Sequence, residues 1–128
     1  MKKEIILGLI ALTLFGNATD FYYENGKKVE VVKINEKRVN DSNITYYKTS
    51  KGHKIGVKND ILVECKEGVN CKSILSNYET LTISALTDTI FIVTIAKDKN
   101  IFEFSQTIYE NSNIKIAHPN LRKTKRRR

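Results

Sequence analysis

The chain has 128 residues, room for one compact domain and little more. Its formal net charge is +8 at pH 7, from 22 Lys and Arg against 14 Asp and Glu. Six of those cations, Arg122, Lys123, Lys125, Arg126, Arg127 and Arg128, crowd the C-terminus, so the body before them is near neutrality and carries no general basic face for nucleic acid.

Residues 1–18 have the pattern of an export signal. Lys2 and Lys3 make a basic start, residues 5–15 are apolar apart from small or hydroxyl side chains, and Gly16 and Ala18 stand at the offsets that cleavage after Ala18 requires. The apolar run is shorter than the roughly 20 residues that a bilayer span needs. There is no Cys at the junction to carry a lipid. These features predict a periplasmic or secreted chain with no stable membrane span after signal cleavage; the alternative is an uncleaved anchor.

Residues 19–58 read as a β-rich lead-in, too small for a core of its own. Apolar and aromatic residues 21–23 and 29–31 flank Asn25-Gly26, a hairpin signal because both residue types tolerate positive φ. Residues 44–47 and 53–57 flank Ser50-Lys51-Gly52 in the same way, and polar residues 35–43 read as a loop between the hairpins. The tyrosines of these strands suit a half-buried sheet.

From residue 59 to residue 121 the order of patterns is β-α-β-β-α-β. Ile61, Leu62 and Val63 begin it, a helical segment covers 70–78, and strand-like runs cover 81–86 and 89–96. A second helix over 101–111 leads to a last strand over 114–117. Asn70 can cap the first helix; Asn100 can cap the second, with Glu103 completing a capping box. The order predicts an α+β, ferredoxin-like fold preceded by β-hairpins, with a basic tail over 122–128. The run 89–96 is apolar at both parities, Ile90 and Ile92 on one, Phe91, Val93 and Ile95 on the other, which calls for a cover on each sheet face. Helices of such a unit cover one face, leaving the other for the N-terminal hairpins or a partner protein.

Cys65 and Cys71 flank a turn containing Gly68. In an oxidising compartment they could form a disulfide. Equally, Cys71 shares a helical face with Ile74, Leu75 and Tyr78 and suits a small buried apolar residue. No Gly-rich phosphate loop, CxxC pair or His-x-x-x-His pair occurs, and His53 and His118 stand apart from any nucleophile motif. No catalytic residue, metal ligand set or cofactor site is predicted.

Asn59, Asp60, Ile61, Leu62 and Val63 at the entry strand, and Lys115-Ile116-Ala117-His118-Pro119-Asn120 at the exit, resemble the N-terminal propeptide domain of subtilisin-like serine proteases, the subtilase family. The lead-in, with Tyr22-Tyr23-Glu24-Asn25-Gly26-Lys27 and Tyr46-Tyr47-Lys48-Thr49, is similar to that of some secreted bacterial members. The family's catalytic Asp, His and Ser domain is absent from the chain. The resemblance implies an inhibitor or intramolecular-chaperone-type partner of a subtilisin-like protease, or the front of such a precursor. It implies a sheet face packed on the protease, for which Phe91, Val93 and Ile95 are the expected contacts. It also implies a trailing end lying in the substrate cleft, with His118, Pro119, Asn120, Leu121 and Arg122 leading into it. The alternative is a small exported module that binds the envelope or another anionic surface through its tyrosine-rich hairpins and tail.

Overall fold

The computed structural model of the protein describes residues 20–34 and 44–123. The signal-like segment, the polar stretch 35–43 and residues 124–128 lie outside them. Strands β1 (Phe21–Glu24) and β2 (Lys27–Lys33) form the hairpin that Asn25-Gly26 predicts, the two turn residues having φ of 54° and 77°. Strands β3 (Thr45–Thr49) and β4 (Lys54–Val57) form the second hairpin, closed by Gly52 at φ 91°. Together with β9 (Arg122–Lys123) they make an antiparallel sheet in the order β1-β2-β3-β4-β9. The seven residues of β2 divide their partners: Lys27, Lys28, Val29 and Glu30 pair with β1, while Val31, Val32 and Lys33 pair with β3. This change of partner along one strand curls the sheet into a half-barrel.

The second sheet contains β5 (Asp60–Cys65), β6 (Thr82–Ala85), β7 (Ile90–Thr94) and β8 (Ile114–Pro119), all antiparallel, in the order β6-β7-β5-β8. Helix α1 (Cys71–Leu75) separates β5 from β6, and α2 (Ile101–Tyr109) separates β7 from β8. Both predicted caps form. The Asn70 carboxamide oxygen accepts from the Ser73 amide at 3.0 Å, and that of Asn100 accepts from the amides of Phe102 and Glu103 at 2.9 and 3.1 Å. Pro119 lies on β8, an edge strand, where its missing N–H does not interrupt the ladder.

A single core lies between the sheets and α2. Tyr22, Val31, Ile55 and Val57 come from the first sheet, Ile61, Val63, Val93 and Ala117 from the second, and Phe102 and Ile108 from α2. Tyr47 meets Phe102 edge to face, with ring centroids 4.9 Å apart.

This arrangement corrects the expected fold class. The chain is not a ferredoxin-like α+β unit with hairpins added in front; it is a mostly β protein of two antiparallel sheets. Among the described residues, helix is limited to five residues in α1 and nine in α2. Two physical reasons account for the difference. First, α1 stops at Leu75 after little more than one turn, so it cannot form a helical layer over the sheet. Second, one buried cluster joins the lead-in to the second sheet and to α2, where Tyr47 meets Phe102, so the lead-in is a layer of the domain.

Candidate protein-docking face

In a strand, alternate side chains point to opposite faces, so cross-strand register decides which residues share a face. Ile61 pairs with Val93, Val63 with Phe91, and Ala117 with Val63. These residues are buried and form the inner face. Leu62 pairs with Ile92, Ser84 with Ile92, and His118 with Leu62, giving an outer row Ser84–Ile92–Leu62–His118. The next row runs from Ile90 through Glu64 to Ile116. Leu86, whose amide donates to the Ile90 carbonyl at 2.8 Å, continues that row beyond β6 and is 60% exposed. Leu62, Ile90, Ile92 and Ile116 are half-buried, so the outer face carries an apolar strip that solvent still reaches.

Its polar members are few. Glu64 sits within the strip and has Lys115 at 3.9 Å, a weak, partly exposed pair. At one corner the buried Tyr22 ring packs on His118 with centroids 5.9 Å apart. Burial, followed by the charge of Glu24, pushes the Tyr22 phenol up to about 12. The lead-in therefore seals the His118 corner and not the strip.

The residues expected to bind a protease fall on different ground. Phe91, Val93 and Ile95 are 7%, 0% and 0% exposed and belong to the core. The parity was readable from the partner strands. On β5 the outer residues include Asp60 and Glu64, on β6 they are Thr82 and Ser84, and on β7 the last is Thr94. Charged and hydroxyl side chains mark the solvent side, so Ile90, Ile92 and Leu62 share it and the wholly apolar parity is the core.

The C-terminal segment is also held. His118 and Pro119 are part of β8, and the Asn120 amide donates to the Asp60 carbonyl at 2.9 Å. Asn120 Nδ2 donates to Asp60 Oδ2 at 3.1 Å, Leu121 is half-buried against the core, and Arg122 binds the same carboxylate. Partial burial by itself would raise the Asp60 carboxyl. Hydrogen bonds from Arg122 and Asn120 and the Arg122 charge outweigh it and hold the carboxyl below its ordinary value. Residues 118–122 are thus built into the fold and do not trail from it. Residues 124–128 of the predicted tail lie outside the described residues.

Cys65 and Cys71 are joined in a disulfide, Cα–Cα 5.7 Å, that ties β5 to α1. The bond fits an oxidising, extracellular-type environment. Among the described residues no helix is long and apolar enough to cross a membrane, and no group of three or more His, Cys, Asp or Glu could hold a metal ion. A cleft of about 370 Å³ at the start of α2 is lined by Lys58, Lys97, Lys99, Asn59, Asn100 and Tyr47, among others. Its polar groups are largely engaged within the protein: Asn100 caps α2, Asn59 donates to the Ile95 carbonyl at 2.7 Å, and Lys99 pairs with Glu79 at 3.1 Å. The outer strip is therefore the better candidate.

Comparison of the chain with protein-family models, curated proteins and solved structures finds no significant match in any of the three.

Proposed function

We propose that this chain is an exported, periplasmic or secreted, non-enzymatic partner of a subtilisin-like serine protease, acting as propeptide-like inhibitor or folding helper. In this reading it docks through the outer face of the second sheet. The observation that carries the proposal is the strip of Leu62, Ile90, Ile92, Ile116 and Leu86, apolar, half-buried or exposed, and covered by no element among the described residues except at its His118 corner. An apolar patch of this kind on a monomer marks a docking surface. The disulfide supports the exported location. The docking residues differ from those the resemblance implies, because Phe91, Val93 and Ile95 serve the core.

The cleft-binding part moves as well. Residues 118–122 are bound to β5 and Asp60, so the strand entering a substrate cleft would come from the chain after Lys123. Backbone hydrogen bonds would supply its affinity, and its basic side chains call for an acidic cleft.

The test is inhibition of a subtilisin-like protease from the same organism by the purified chain. Inhibition is expected, with Ile92→Asp raising the inhibition constant at least about tenfold, as for a central interface residue. No inhibition at high micromolar concentration, or an Ile92→Asp protein that inhibits as the parent does, overturns the proposal.

A further inference from the structure

The face of the first sheet that carries Val32 and Lys48 has a different chemistry from the strip on the second, and only its β1 end, through Tyr23 on Tyr109, meets α2. Its register places Lys48 directly opposite Lys54, with exposed Val32 paired to Lys48 on the other side. Like charges opposite one another work against an antiparallel pair, so this row is a local concentration of positive charge that strand pairing does not favour. On the same face, Lys28 Nζ stands 4.3 Å from the centroid of the Phe21 ring and Lys54 Nζ 5.6 Å from that of Tyr46. Tyr46 pairs with Gly56, where a Cβ would lie 3.2 Å from the Tyr46 ring, so the glycine lets that ring lie close across the strand. Glu30 is the one acid that shares this parity on β1 to β4, against three lysines.

We propose that this face binds the headgroup layer of an anionic phospholipid membrane. Long lysine stems with ammonium heads, tyrosines half-buried at the surface and an exposed valine are the side chains that suit a boundary between phosphate and acyl chain. A polysaccharide would need open ring faces to stack on. Here Lys28 covers Phe21, Tyr109 stacks on Tyr23 at 4.8 Å, and Tyr46 lies over Gly56. The groove beside the lysine row, lined by Glu30, Val32, Lys48, Thr49 and Ser50, has a volume of about 210 Å³, small for a sugar chain. The proposal does not depend on a protease partner, because it uses the opposite sheet.

The experiment is co-sedimentation of the full chain with phosphatidylcholine vesicles, with and without phosphatidylglycerol. The signal-like segment is common to every arm, so the difference between the two compositions isolates the charge-dependent part. Partition is expected to favour phosphatidylglycerol and to fall with added salt. Lys48→Ala and Lys54→Ala should each weaken that preference about fivefold, with both variants still unfolding in one cooperative transition. A double variant that partitions as the parent does overturns the proposal. So does loss of the whole preference in a chain ending at Lys123, which would assign it to the residues beyond. Capture on immobilised polygalacturonate without partition onto vesicles would likewise overturn it and give the face to a polysaccharide.

Discussion

Arg122 and Asp60, 62 positions apart in the chain, form a two-pronged ion pair: Nη1 donates to Oδ1 at 3.2 Å and Nη2 to Oδ2 at 3.0 Å. Because Arg122 also belongs to β9, which pairs with β4, the contact ties the end of the described chain to both sheets at once. The Asp60 carboxylate is mostly buried and the arginine about a third exposed, so the pair is partly shielded from water.

Breaking it should cost about 1–3 kcal/mol: Arg122→Ala leaves a shielded carboxylate with fewer partners, and Asp60→Asn takes the charged acceptor from the guanidinium. The folded-state value of Asp60 is depressed, so its contribution is present above the ordinary carboxylate value and is lost as pH falls through the folded one. Urea denaturation of the parent should show this acid-side loss. Asp60→Asn should be less stable at pH 7 and should lack that part of the slope; a slope unchanged in Asp60→Asn would contradict the assignment.

Tyr22 makes the opposite prediction at high pH. Its folded-state value is raised from 10.0 to about 12, so in that interval the unfolded phenol ionises while the folded one does not. Stability should therefore be fully present below pH 10.0 and fall as the pH rises towards about 12. Tyr22→Phe should flatten that fall. Burial raises Tyr47 as well, so tyrosine absorbance near 295 nm in the folded parent should show more than one late-titrating phenol, and Tyr22→Phe should have one fewer.

The Cys65–Cys71 bond closes a short loop, with a sequence separation of 6. Loop-closure entropy for so short a ring is worth about 2 kcal/mol. The double Cys→Ala variant should lose roughly that much on chemical denaturation, and dithiothreitol should lower the stability of the parent and leave the variant unaffected.

Neighbouring residues on β7 should behave differently. Val93 is fully buried between the sheets, so Val93→Asp puts an unpaired charge in the core and should abolish the cooperative unfolding transition. Ile92 faces outward and is half-buried, so Ile92→Asp should remain folded, with a cost of about 1–2 kcal/mol. If both variants fold, or Ile92→Asp alone fails to, the face assignment drawn from the register is wrong.

Phe102 reports on the union of the two sheets. It is almost fully buried and meets Tyr47 edge to face, so Phe102→Ala should cost about 3–5 kcal/mol. Separate folding of the lead-in and the second sheet would appear as two transitions in calorimetry; one shared transition is expected.

The local features were legible in the sequence because short-range chemistry fixes them. Asn25-Gly26 turns a hairpin by tolerating positive φ, and Asn70 and Asn100 cap helices with their own side-chain oxygens, whatever lies further along the chain. The face of the docking strip was legible in principle, since Asp60, Glu64 and Thr94 mark its polar side. Tertiary structure alone decided the rest. Which partner each half of β2 takes, how far the two sheets share Tyr47 and Phe102, and the return of Arg122 to Asp60 all depend on residues brought together from distant positions. No periodicity within a segment encodes such pairings, because their energy exists only once both surfaces have met and water has left between them.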